Sequence, residues 1–261
     1  MRASAPSVEN IRKFWESHPV AAAAIPHPLG TPEYFKCYDR LREANESLEF
    51  SYELHEYRRF AGKRVLDVGC GNGYVLAKYV QEGAEAFGID LTRIGIELCR
   101  QRFALNTLKG HFVVGNAEVL PYPNGMFDCV CSTGVLHHLS DAGKAVAEIY
   151  RVLKSGGRVV LMVYHRNSAN YRLNILLNHW RTGGSMSELV RTIDGVGNPR
   201  GEVYSKEELR RLLDGFDGVS VCAGLLQDNM VPKLGSVIPK SWLRRLQKRW
   251  GWFLYAKGVK P

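Results

Sequence analysis

The chain has 261 residues and a formal charge of +9, long enough for one α/β domain with room for a lid. No apolar run approaches the ~20 residues needed to cross a bilayer, and the short stretch from Val20 to Ile25, bounded by Pro19 and Pro26, lacks a signal-peptide layout. Six cysteines are scattered without metal-ligand spacing, which suits a reduced cytoplasm better than a disulfide framework.

Ser7 is a candidate cap for a helix carrying Ile11, Phe14 and Trp15 on one face. A proline-rich link runs from Pro19 to Pro32. Glu33 to Phe60 then reads as helical, with Tyr34, Tyr38 and Leu41 on one face, Leu48 and Tyr52 continuing it, and Asn45-Glu46-Ser47 as a candidate break. Residues 1–60 are thus expected to form a helical cap ahead of the first strand.

From Arg64 the chain alternates strand and helix, which argues for a parallel sheet covered on both faces. Strands are expected near Arg64–Val68, Glu85–Ile89, His111–Val114, Phe127–Ser132 and Arg158–Tyr164. Cys129 and Cys131 alternate on the fourth, so both point into the same packing layer. Lys154-Ser155-Gly156-Gly157 is expected to stop the helix before the fifth strand. Arg166 to Val203 then breaks the alternation. Its apolar patch (Tyr171, Leu173, Ile175, Leu176, Leu177, Trp180) marks a folded, lid-like insertion. Ser205-Lys206-Glu207-Glu208 is a capping box for the next helix. Val219–Cys222 and Phe253–Val259 read as final strands.

The most informative segment is Arg64-Val65-Leu66-Asp67-Val68-Gly69-Cys70-Gly71-Asn72-Gly73. A β-branched strand runs into a glycine-dense turn, and a helix beginning at Tyr74 offers unpaired N–H groups. Asp90 ends the second strand at about the ~20-residue spacing of a ribose-binding carboxylate. Tyr74 stands where a dinucleotide fingerprint carries its third glycine. Asp67 would crowd a pyrophosphate but suits an ammonium. Together these features describe a nucleoside-cofactor site at the carboxyl end of a sheet.

From Arg64 to Tyr164 the chain resembles the class I S-adenosylmethionine (SAM) methyltransferases, in particular the small-molecule group with a Val-Leu-Asp-Val-Gly-Cys-Gly-type loop. Arg151-Val152-Leu153-Lys154-Ser155-Gly156-Gly157-Arg158 resembles that family's approach to its fifth strand. The resemblance implies one doubly wound, Rossmann-like sheet of seven strands, mostly parallel with the last antiparallel, spanning 1–261. It implies SAM as cofactor, with Asp67 toward its ammonium and Gly69, Cys70 and Gly71 against its amino-acid end. Asp90 would take its ribose hydroxyls and Leu91 would lie under the adenine. Asn116, Ala117 and Glu118 would address the adenine amino group, with Asn116 in place of the commoner Asp. Ser132-Thr133-Gly134-Val135-Leu136-His137-His138-Leu139 matches the loop beside the reacting methyl group, and puts Thr133 at the cofactor.

His138 is the candidate catalytic base, because an unperturbed imidazole titrates near neutrality; the alternative is that both histidines serve the scaffold. Tyr34, Tyr38, His138, Tyr164, His165, Tyr171 and Tyr204 are candidates for the acceptor pocket. The expected activity is methyl transfer to an oxygen or nitrogen, less readily a carbon, of a small molecule. Nucleic-acid enzymes of the amino-methylating class carry an Asx-Pro-Pro-aromatic segment where this chain has Ser132-Thr133-Gly134-Val135. Base C5 enzymes need a Pro-Cys nucleophile that is absent. Asp128 alone supplies no ligand cluster for a hard cation, so no metal is expected.

The charge is local. Asp228 is the last acid, and after it come Lys233, Lys240, Arg244, Arg245, Lys248, Arg249, Lys257 and Lys260. Pro239 opens a helix in which Trp242, Leu243, Leu246 and Trp250 share a side. That helix is either packed on the sheet or laid on an anionic membrane surface, where a lipid or quinone-like acceptor would be reached.

Overall fold

The computed structural model describes residues 6–183, 185–231 and 238–261; Lys233 lies outside them. Its centre is a seven-stranded sheet in the order β3-β2-β1-β4-β5-β7-β6. The strands are β1 (Arg64–Val68), β2 (Glu85–Asp90), β3 (His111–Val114), β4 (Phe127–Thr133), β5 (Leu153–Tyr164), β6 (Asp217–Gly224) and β7 (Phe253–Val259). β7 pairs antiparallel with both β5 and β6, whereas the pairs from β3 to β5 are parallel. The expected doubly wound sheet with an antiparallel last strand is the one observed.

Strand alternation sends successive side chains to opposite faces. Val159, Leu161 and Val163 of β5 join one core layer with Leu66, Val68 and Ile149. Val160 and Met162 join the other with Val65, Cys129, Cys131 and Tyr79. Helices α4 (Tyr74–Gln81) and α5 (Arg93–Leu105) cover the second layer's side; α6 (Ala142–Val152) and α9 (Lys206–Leu212) cover the first.

The boundary before β5 differs from expectation. Helix α6 stops at Val152, and Leu153 already pairs with Phe127 before the register shifts to Cys129 opposite Arg158. Lys154–Gly157 is therefore an excursion within the strand. Lys260 Nζ takes over the stop signal by donating to the carbonyls of Tyr150 and Leu153, each at 2.8 Å. Lys257 likewise donates to the Glu53 carbonyl at 3.1 Å. Both lysines stitch the fold together and do not belong to a basic surface.

Ahead of the sheet lie α1 (Val8–Ser17), α2 (Pro32–Asn45) and α3 (Leu48–His55), with Ser7, Thr31 and Ser47 as caps. The Asn45–Ser47 break separates the last two. Glu16 of α1 accepts from the N–H groups of Arg93 and Ile94, at 2.9 and 3.0 Å. It satisfies donors that the start of α5 leaves open. Arg102 of α5 pairs with Asp39 of α2 at 2.8 Å. The cap is bonded to α5 at both places.

The insertion leaves and rejoins the core at one point, where His165 and Tyr204 form a bridge. It contains a π-helical stretch (Asn170–Ile175), α7 (Leu176–Thr182), α8 (Met186–Arg191) and a 3-10 turn (Thr192–Asp194). Helix α10 (Lys240–Trp250) rests Leu243 and Leu246 on Ala169 and Leu226. Trp242 and Trp250, expected on that same side, are 61% and 43% exposed. Replacing the fully buried Leu66 of β1 by Ala should cost about 2–5 kcal/mol of stability, read as a drop in the denaturation midpoint.

Candidate active site

The site stands at the carboxyl ends of β1, β2 and β4, where open α/β sheets bind ligands. Gly69, with φ +77, turns the chain so that its N–H and that of Cys70 both donate to the Ile89 carbonyl, at 2.7 and 3.0 Å. A side chain at Gly69 would strike the Val135 methyls. Gly71, with φ +48, has open space where a Cβ would lie and donates to Asp90 Oδ2 at 2.9 Å. The other Asp90 oxygen accepts from the Thr92 N–H and hydroxyl, at 2.9 and 2.7 Å. Burial raises the Asp90 carboxyl above the ordinary carboxylate range, and these donors oppose the rise.

Two adjoining cavities open from this turn. One, of about 130 Å³, is lined by Ile89, Asp90, Leu91, Asn116 and Ala117, with Trp15 and Tyr34 of the cap above. The other, of about 230 Å³, is lined by Asp67, Cys70, Tyr38, Arg42, Glu46, Met162, Tyr164, Asp194 and Phe253. Gly69, Gly71, Asn72, Thr133, Gly134 and His138 line both.

Asp67 is 3% exposed, and its Oδ1 has no hydrogen-bond partner among the described residues. Burial pushes its carboxyl up to about 7. A buried carboxylate with an unmatched oxygen, next to an open glycine turn, fits a ligand ammonium. The donor set around Asp90 and the apolar Leu91 and Ala117 fit a nucleoside beside it. These residues suit SAM.

At the shared wall, His138 Nδ1 lies 2.7 Å from the Arg200 carbonyl. A carbonyl only accepts, so Nδ1 carries the hydrogen and Nε2 keeps its lone pair. Burial lowers the imidazole's proton affinity below its ordinary value, against the pull of Asp194. Its Nε2 is 3.7 Å from Asp194 Oδ2. Tyr164 donates its hydroxyl to Asp194 Oδ1 at 2.5 Å. His137 is fully buried against Tyr164, its ring nitrogens without partners among the described residues, and burial holds it far below its usual range. It is scaffold.

Several expected site residues stand elsewhere. Glu118 accepts from Ser140 Oγ and the Asp141 N–H, at 2.6 and 2.9 Å, and lines neither cavity. His165 is turned to the Gly251 carbonyl at 2.9 Å. Tyr171 packs against a cluster that joins the insertion's Ile175 and Val190 to Tyr164, Leu225 and Trp252, and Tyr204 packs against the main core; none of these three lines either cavity. Tyr34 lines the nucleoside cavity and not the second one. The Cys70 thiol faces Cys99, leaving its backbone at the turn. Asn116 Oδ1 already accepts from the Glu118 N–H at 3.0 Å. Asp128 is held by Lys154 Nζ at 2.8 Å and the Arg64 N–H at 3.0 Å.

Sequence reasoning missed Asp194, Arg42, Glu46 and Thr92. Thr92 had a local signal, because an Asp-x-Thr ahead of a helix is a turn-and-cap pattern. For Asp194 the signal was weaker. Of the acids Glu188, Asp194 and Glu202 in the insertion, only Glu188 is explained by a capping box, with Ser185.

Comparison with known proteins gives the same reading. Residues 66–161 match the model of a methyltransferase domain. The ubiquinone/menaquinone biosynthesis C-methyltransferase UbiE of Pectobacterium atrosepticum is 34% identical over 124 residues, 45% of this chain and 48% of that protein. The chloroplastic tocopherol O-methyltransferase of Arabidopsis thaliana is 35% identical over 135 residues, 49% of this chain and 38% of that protein. The chain thus spans half or less of the length of these curated relatives. The geranyl diphosphate C-methyltransferase of Streptomyces coelicolor superposes with a TM-score of 0.64 at 15% identity, covering 99% of this chain and all of that one, a likeness of fold.

Asp67→Asn should remove a buried charge and so raise the melting temperature of the free protein at pH 8. The sign follows from linkage. A carboxyl whose folded value is raised binds more protons folded than unfolded, so its ionisation subtracts stability as pH rises toward 7. The same variant should weaken S-adenosylhomocysteine binding by about 10–100-fold, for the loss of one charge-assisted hydrogen bond worth about 1.5–3 kcal/mol. Calorimetry measures both. With its glycine turn and its strand order, the chain carries over residues 66–161 a match to a methyltransferase domain, set in a sheet whose fold is that of solved methyltransferases.

Proposed function

We propose that the chain transfers a methyl group from SAM to a small-molecule acceptor held in the cavity of Tyr38, Met162, Tyr164 and Phe253. The observation that carries this reading is the shared wall. Gly69, Thr133, Gly134 and His138 border both cavities, so a nucleoside in one and an acceptor in the other would meet there. Bound in this site, SAM supplies an electrophilic methyl group on a sulfonium whose leaving group is already good. The protein's task is then to hold, align and dry the reactants. Asp67 and the Gly69–Gly73 turn hold the amino-acid end, and Asp90 the ribose. Trp15, which lies edge-on to His138 at 4.8 Å, closes the wall from the cap. The second cavity's aromatic and thioether side chains suit a flat apolar acceptor, and two relatives are named for quinones and tocopherol. Incubation with methyl-labelled SAM and fractionated cell extract should place the label in small molecules; label confined to RNA or protein contradicts the reading.

A second surface supports reaching such an acceptor at a membrane. Helix α10 exposes Trp242 and Trp250 together with Arg244, Arg245, Lys248 and Arg249. Among the described residues these four cations make no ion pair. Basic, tryptophan-bearing helices lie in anionic headgroup regions. The full chain should cosediment with vesicles containing phosphatidylglycerol at low salt, and lose most of that binding when the four cations are replaced by Gln. Absence of cosedimentation removes the membrane reading.

A further inference from the structure

The insertion brings to the acceptor cavity an acid that the methyltransferase motifs do not contain. Asp194 ends the 3-10 turn Thr192–Asp194 and lines the cavity beside Tyr164 and His138. Its two oxygens are differently used. Oδ1 takes the Tyr164 hydroxyl at 2.5 Å, while Oδ2 faces His138 Nε2 at 3.7 Å, with only the Asn198 amide as a distant donor at 3.5 Å. The same loop supplies the Arg200 carbonyl that fixes the hydrogen on His138 Nδ1. Two lone-pair-bearing atoms therefore face each other with no hydrogen between them, at the wall where the reactants would meet.

We propose that His138 and Asp194 form a proton-accepting pair, and that the acceptor group they serve is a hydroxyl. This deepens the methyltransferase reading and rests on it. The acceptor's O–H bond breaks, its proton passing to His138 Nε2. The freed electron pair forms the O–CH3 bond as the methyl–sulfur bond breaks onto sulfur, leaving a neutral thioether. The imidazolium, held beside the Asp194 carboxylate, then releases its proton to water. His138 touches the acceptor; Asp194 acts through it as a positioning residue. A carboxylate acceptor has no proton to lose, and a neutral amine attacks before losing one, so neither has use for this pair.

Four side chains set the charge around His138. His137 lies beside it and is neutral. Asp194 faces it from the insertion, Tyr164 from β5 and Trp15 from α1. Of these, Asp194 alone raises the imidazole's proton affinity.

The test is nitrogen-15 NMR of the histidines in the full chain, wild type against Asp194→Asn and Asp194→Glu. The wild type should show a neutral His138 with its hydrogen on Nδ1. Asp194→Asn should shift its titration to lower pH, and Asp194→Glu should restore it at least in part, while S-adenosylhomocysteine affinity changes less than threefold in both. A hydrogen on Nε2, or a titration unmoved by Asp194→Asn, overturns the pair. In the labelled-SAM incubation the product's label should survive mild base; label released as methanol, the mark of a carboxyl ester, overturns the hydroxyl assignment. If wild type binds no S-adenosylhomocysteine while His138 titrates as stated, the methyltransferase reading fails and the pair stands.

Discussion

The turn after β1 is tied to the end of β2 by the bonds from Gly69 and Cys70 to the Ile89 carbonyl and from Gly71 to Asp90. That tie holds the glycine turn and Asp90 within one rigid unit, because the bonds run between neighbouring strands of a parallel sheet. It also explains the glycines. The left-handed backbone at Gly69 and Gly71, and the press of Val135 on the first, exclude larger residues. Asp90 is then set by donors on both oxygens before any ligand arrives, an arrangement that limits the ordering cost of binding.

The same region concentrates buried ionisable groups. Asp67, Asp90, His138 and Asp194 all have proton affinities displaced by burial, and all line one or both cavities. Such groups cost folding stability when they stand without partners, and they cluster where a ligand is to complete them. The buried pair Arg42–Glu46, 3.1 Å apart, adds to this pattern on the cap side, with Tyr255 donating to Glu46 at 3.0 Å. The cap and the insertion therefore do more than cover the sheet. Trp15, Arg42 and Glu46 come from one, Asp194 and the Arg200 carbonyl from the other, and His138 stands between them.

The sheet was legible because its strands are short apolar runs separated by helical periodicity, and both faces need covering. The placement of Asp67 and Asp90 at the cavities was legible because local spacing fixes it. The acceptor side was legible in part: Tyr38, Tyr164 and His138 do line the second cavity. Tyr171, Tyr204 and His165 carry the right groups, but their orientation depends on how the insertion folds back: the bridge at His165–Tyr204 holds those two away from the cavity, and Tyr171 packs half-buried beside Ile175 and Trp252. Asp194 reaches the site only because a chain of more than two dozen residues returns to Tyr164. Its position depends on that long-range closure and not on its neighbours in sequence. The stop of α6 failed for a similar reason. The Gly156-Gly157 pair looked like a local terminator, yet Lys260, more than a hundred residues later, supplies the capping donor.

The central claim is that one site seats the nucleoside and the acceptor on opposite sides of a wall made by Gly69, Thr133, Gly134 and His138. A crystal structure of the complex with S-adenosylhomocysteine addresses it most directly. The account predicts the ribose on Asp90, the adenine between Leu91 and Ala117, and the sulfur at that wall, facing the cavity of Tyr164 and Asp194. A thioether sulfur pointing away from that cavity, or a nucleoside bound anywhere else on the chain, would contradict it.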